Sequence, residues 1–211
     1  MRIARARDLN RALAVEIFTV SYNIIEALLA IGIGVATRSI SLETFGLDSI
    51  IEVTAGFVLI WRLNAEKQNG DLERVEQVEH RASRFVGITL FALAAYVLVQ
   101  SIYALVTRSQ PEASPWGIAL AIASLIVMPI VAKLKLVYAE KISSRALRAD
   151  AAETIACAYL SFTLLLGLGA NYLFGWWWAD PIAALAMLYF IVREAREALS
   201  DEPQHDEEHS Q

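Results

Sequence analysis

An all-α membrane protein with six transmembrane helices is the fold the sequence predicts, on three observations. The 211 residues are 56% hydrophobic with a mean hydropathy of +0.45, against roughly 45–50% apolar in soluble domains. Six stretches reach the length of about 20 helical residues that a bilayer requires. The basic residues fall almost entirely on one side of those stretches.

The expected spans are 12–36, 40–62, 85–107, 116–138, 150–172 and 178–198. The basic start Met1–Arg11 has the charge of a signal n-region. The apolar run behind it contains Glu16, Asn23 and Glu26 and is too long for a cleaved core, so it reads as a retained first helix. The second span carries Asp48 and Glu52. Before the third, DLERVEQVEHRASR (71–84) is polar with helical spacing and reads as a cytoplasmic extension of that helix. Pro129 is expected to kink the fourth span. Trp176, Trp177 and Trp178 form an interfacial aromatic belt where the sixth begins. There Asp180-Pro181 reads as an N-cap followed by proline at the first helical position.

Cytoplasmic flanks collect Lys and Arg. Arg2, Arg5, Arg7 and Arg11 precede the first span; Arg62, Lys67, Arg74, Arg81 and Arg84 lie between the second and third. Lys133, Lys135, Lys141, Arg145 and Arg148 join the fourth to the fifth, and Arg193 and Arg196 end the sixth. Only Arg38 and Arg108 fall on the other side. Both termini are therefore expected in the cytoplasm, in a multi-pass integral membrane protein (of the inner membrane, if bacterial). The net charge of −5 belongs to the tail 201–211, where Asp201, Glu202, Asp206, Glu207 and Glu208 stand without a base. Residues 1–200 form one neutral membrane domain, and the tail reads as disordered. A basic nucleic-acid binder and a disordered acidic protein are excluded. One cysteine excludes an intrachain disulfide framework.

Charges within hydrocarbon are costly and tend to mark pathways. Glu16, Thr19, Asn23 and Glu26 form one stripe of the first span. Asp48 and Glu52 lie one turn apart on the second, and Asp150, Glu153, Cys157 and Ser161 form a stripe on the fifth. Such stripes face an interior cavity rather than lipid. Asp48, Glu52, Glu153 and Cys157 together offer three carboxylates and a thiol, a donor set suited to a divalent transition metal. The bland alternatives remain for each: protonated acids bonded between helices, and a cysteine that only packs. Asn23 and Glu26 read as supporting partners, proton carriers or interhelical glue. Asp150 reads first as the partner of Arg148 or a neighbouring base, ahead of metal binding, with a supporting or proton-path role beside Asn23 and Glu26 as the alternative. Asp180 as a metal-entry carboxylate ranks behind its capping role. His80, His205 and His209 lie outside the spans; solvation is the simpler reading, metal collection the other.

At these residues the sequence resembles the cation diffusion facilitator family. SLETFGLDSIIEVTAG (41–56), SRALRADAAETIACAYLS (144–161) and GWWWADPIAALAMLYFIVREAREAL (175–199) carry the resemblance, which covers nearly the whole chain. Typical members place D-x-x-x-D on the second helix and H-x-x-x-D on the fifth, around a tetrahedral zinc site used in proton-coupled efflux. Asp48 matches the first aspartate and Glu52 takes the second position. Glu153 stands where the family has histidine, and Cys157 where it has aspartate. With only a short tail after Leu199, the chain is similar to a small branch lacking the cytoplasmic domain, which includes vertebrate synaptic-vesicle zinc transporters.

The resemblance implies a homodimer that exports a divalent metal by alternating access. Zinc is the first expectation, with cadmium, cobalt, manganese, iron or nickel as others, and protons as counter-ion. No prosthetic group and no enzymatic activity are expected. A non-transporting metal-sensing or assembly protein on the same scaffold is the alternative. An organic-cation exporter ranks lower, because only Tyr22, Phe45 and Tyr159 are aromatic neighbours for the acids.

Overall fold

A computed structural model of the chain describes residues 2–67, 72–109, 111–112 and 114–200. They form six α-helices: α1 (Arg2–Thr37), α2 (Ile40–Lys67), α3 (Leu72–Thr107), α4 (Pro115–Ile142), α5 (Arg145–Phe174) and α6 (Ala179–Ser200). Five of the expected spans lie wholly within one helix each, and the sixth does so from its second residue, since Trp178 precedes α6. The tail with His205 and His209, and the side chain of His80, lie outside the described residues. Five of the six helices are long and apolar enough to cross a membrane, with stretches of 21 to 31 residues. α6 falls short of that standard because Arg193, Glu194 and Arg196 crowd its second half. Length and composition therefore support five spans where six are expected.

Local chemistry ends the helices. Ser114 caps α4 by accepting from Gly117 N at 3.1 Å, and Ser144 caps α5 by accepting from Leu147 N at 3.3 Å. Proline at the first position of α4 gives up a backbone donor that would have lacked a helical partner anyway. At the far ends, Arg38, Arg108 and Ser143 take left-handed conformations with φ between 53° and 58°. Each lets the next amide reach five residues back: Ser39 N to Gly34 O, Ser109 N to Ala104 O and Ser144 N to Ala139 O, at 2.9–3.0 Å. These closures satisfy carbonyls that would otherwise be orphaned. Pro129 sits inside α4, which continues past it.

α1 packs chiefly on α2, α4 on α5, and α3 on α6; α2 also touches α3, α5 and α6, and α1 touches α4. The polarity is that of a membrane protein. Leu28, Val106 and Leu173 point outward, each more than 70% exposed, while Glu16, Asn23, Glu26 and Asp48 are all 3% exposed or less. Backbones approach closely where glycine allows it: a Cβ on Gly56 of α2 would lie 2.5 Å from Val20 Cγ2 of α1.

Two sequence expectations are corrected here. Asp180 does not cap α6, which begins one residue earlier at Ala179. Its buried carboxylate reaches across to the start of α2. It accepts from Ser39 Oγ at 2.6 Å, from Ile40 N at 2.9 Å and from the Ser41 hydroxyl. Ser39 in turn accepts from Leu42 N at 3.3 Å. Asp180 thus supplies the negative charge that the N-terminus of α2 favours, from another helix.

Lys135 is the second correction. Counted among cytoplasmic flanking bases, it is instead 1% exposed, inside the bundle. It continues the buried face of α4 that runs through Ser124, Met128, Val131, Ala132, Ala139 and Ile142.

Candidate metal centre

The three polar stripes meet in the interior. Helical spacing turns Glu16, Thr19, Asn23 and Glu26 of α1 to one buried face. That face packs against α2, where Asp48 and Glu52 are one turn apart. α5 brings Cys157 to them. Its start at Arg145, five residues before the expected span, extends the helix toward the end bearing Asp150 and Glu153.

One ligand atom from each of Asp48, Glu52 and Cys157 lies within 4.8 Å of the other two. Asp48 is 3% and Cys157 1% exposed. Bonds of about 2.0–2.3 Å to tetrahedral zinc separate its ligands by about 3.3–3.8 Å. Small side-chain adjustments would therefore suffice to bring all three donors onto one ion. Like charges this close in a water-poor interior repel strongly, and a divalent cation relieves that repulsion.

Glu153, the fourth expected ligand, stands outside this trio. It lines a cavity next to it, one turn nearer the start of α5, whose walls also include Glu16, Asn23, Glu52, Lys135 and Asp150. The cavity has room for about one water molecule. Glu52 belongs to both places, so the trio and the cavity are continuous.

The supporting residues are placed by the same faces. Asn23 Nδ2 donates to Glu52 Oε2 at 2.8 Å and orients that carboxylate toward the trio. Ser49 Oγ lies 3.1 Å from Glu26 Oε2. Tyr22, Glu26 and Ser124 lie together in the interior, and Asn23 Oδ1 has no hydrogen-bond partner among the described residues, leaving a polar lining around the donors. Asp150 pairs with a base, as expected, but the base is Lys135 at 2.5 Å rather than Arg148.

Glu16 and Lys135 are the interior residues that reading for ligands passed over. Lys135 Nζ lies 3.1 Å from Glu16 Oε2 and donates to Thr154 Oγ1 at 3.1 Å. Charge alone marked Lys135 as a flank. Its position in the spacing 124, 128, 131, 135, 139 and 142 was the signal that it faces inward.

The chain is 25% identical over 162 residues to an uncharacterized transporter of Synechocystis sp., covering 75% of this chain and 52% of that one. It is 24% identical over 156 residues to Transmembrane protein 163 of Xenopus laevis, covering 74% and 54%. An uncharacterized transporter of Methanocaldococcus jannaschii is 26% identical over 182 residues, covering 85% and 64%. The chain thus spans about half to just under two thirds of the length of these relatives. The model of the cation efflux transmembrane domain matches residues 16–202, a range that contains the trio and the stripes around it. The chain belongs to the cation efflux family, the cation diffusion facilitators that its second, fifth and sixth helices resemble.

Proposed function

We propose that this protein moves a divalent transition-metal cation, zinc foremost, out of the cytoplasm by alternating access in exchange for protons. The observation that carries the reading is the buried convergence of Asp48, Glu52 and Cys157 on one point. Two carboxylates supply charge, and a thiolate draws the site toward zinc and softer ions. Glu153 serves as the fourth ligand when α5 shifts along α2, since Glu52 and Glu153 already share a cavity wall. When the metal leaves, the same carboxylates take protons and carry them back.

α3 and α6 serve as the scaffold against which the other helices rock, in keeping with their mutual packing. The working unit is a homodimer with both termini in the cytoplasm. Membership of a family of cation efflux domains, and relatives named as transporters, support transport over a purely sensing role.

The test is flux in proteoliposomes loaded with a metal-sensitive dye, across zinc, cadmium, cobalt, manganese, iron and nickel, with and without a pH gradient. Transport of zinc that responds to the gradient is expected, and its loss in Asp48→Ala with Glu52→Ala. No flux of any metal, or full flux in that double variant, overturns the reading.

A further inference from the structure

The strongest unexplained feature of the interior is the group around Lys135. Its ammonium has three donors, and three oxygens from two other helices surround it: Glu16 Oε2 of α1, Asp150 Oδ2 and Thr154 Oγ1 of α5, at 2.5–3.1 Å. This resembles the shell around a bound cation more than a single ion pair. Elsewhere the buried face of α4 is apolar or small. A buried ionic group of this kind is commonly no more stable than well-packed apolar side chains, and is often retained as a switch.

The group also adjoins the metal centre. Glu16, Asp150, Thr154 and Lys135 all line the cavity that Glu52 shares with the Asp48–Glu52–Cys157 trio. Another wall of that cavity is Asn23, 2% exposed, whose Oδ1 lacks a partner among the described residues. An unpartnered buried oxygen on a residue that walls a space of one water's size points to a cation or its water as a ligand.

We propose that Glu16, Asp150 and Thr154 form a second divalent-cation site on the route to the trio, and that the Lys135 ammonium is its tethered occupant, displaced when a cation enters. This deepens the transport reading and rests on it. The donors are all oxygen, which suits hard ions such as Mn2+, unlike the thiol-bearing trio. Lysine fits the role because its charge sits on a flexible four-carbon stem, so Nζ can leave the oxygens without backbone movement. With Lys135 seated, its ammonium occupies the space between the oxygens and offsets one of the two carboxylate charges. With a cation seated, Lys135 is free to turn toward the cavity.

The test uses purified full-length protein carrying Asp48→Asn and Glu52→Gln, so that the trio cannot contribute. Acetylation of each lysine by acetic anhydride, with acetate as leaving group, is followed by mass spectrometry with and without Mn2+. A ligand that binds only the displaced form, at ten times its Kd, raises that form's population about elevenfold. Lys135 acetylation is therefore expected to speed up about tenfold with Mn2+, while Lys133 and Lys141 stay constant. An unchanged rate at Lys135 overturns the proposal. In the same background, Lys135→Met vacates the oxygens and is expected to bind one additional Mn2+ per chain, counted by the EPR signal of free Mn2+. Adding Glu16→Gln and Asp150→Asn should remove that ion; an unaltered count in Lys135→Met also overturns the proposal. If Lys135→Met does not fold, the acetylation measurement decides alone. Absence of metal flux in the wild type, with Mn2+-dependent acetylation intact, would sink the transport reading and leave this site standing.

Discussion

Asp180→Ala should loosen the start of α2 without touching a metal donor. The carboxylate accepts from the Ser39 and Ser41 hydroxyls and from Ile40 N, and it is 1% exposed. Hydrogen bonds to a charged group contribute about 1.5–3 kcal/mol each, a gross loss of about 4.5–9 kcal/mol over three. Both hydroxyls can turn to nearby backbone carbonyls, and removing a buried charge returns part of its desolvation cost. The net destabilisation should be about 3 kcal/mol, above the ~1 kcal/mol of an average N-cap. For a chain of this size, 1 kcal/mol shifts the melting temperature by about 2–4 °C, so a drop of about 6–12 °C is expected in detergent. Asp180→Asn keeps one acceptor but turns an NH2 toward Ile40 N, and should lose about half as much. Ser41→Ala should cost about 1 kcal/mol in the wild type and almost nothing in Asp180→Ala, because the hydroxyl's partner is already gone. A drop below about 2 °C, or additive effects of the two substitutions, would refute the assignment of Asp180 as the cap of α2.

Three further outcomes follow from the interior. Cys157→Ser should weaken Cd2+ binding far more than Mn2+ binding in titration calorimetry, because it exchanges a soft donor for a hard one; equal losses would mean the thiol only packs. Asn23→Ala removes the 2.8 Å bond that orients Glu52 and should lower zinc affinity about 10–100-fold, measured by competition with a chelating dye, while Asn23→Gln should recover part of it. Gly56→Ala should lower thermal stability by about 1–3 kcal/mol, since the added methyl would meet Val20 Cγ2 at 2.5 Å and Glu16 Oε1 at 2.9 Å; an unchanged melting curve would show that α1 yields freely.

The helices and the pairing of Asp48 with Glu52 were legible in sequence because both depend on local spacing. Apolar runs of bilayer length define the helices. Asp48 and Glu52, one turn apart, share a face however the helices pack. What sequence left open depends on the partner helix. Asp180 beside a proline has the local signature of an N-cap, yet its acceptors turn to α2, 140 residues away along the chain. Lys135 lies between Lys133 and Lys141, and composition alone makes all three flanking bases. Only the buried face of α4 separates Lys135 from its exposed neighbours. Glu153 matches the family position for a ligand, but its place beside the trio depends on the axial offset of α2 and α5. Residue spacing within one helix carries no information about that offset.

The anchoring of α2 at one end has a mechanical consequence. Asp180 holds residues 39–41 against α6, so a tilt of α2 pivots there, as a lever on a fulcrum. At about 1.5 Å of rise per residue, Asp48 stands about 12 Å from the pivot and Glu52 about 18 Å. A tilt of about 10° would move the first by about 2 Å and the second by about 3 Å. The two carboxylates would therefore travel unequal distances past Cys157, and the donor farther from the fulcrum would be the first to part from the ion.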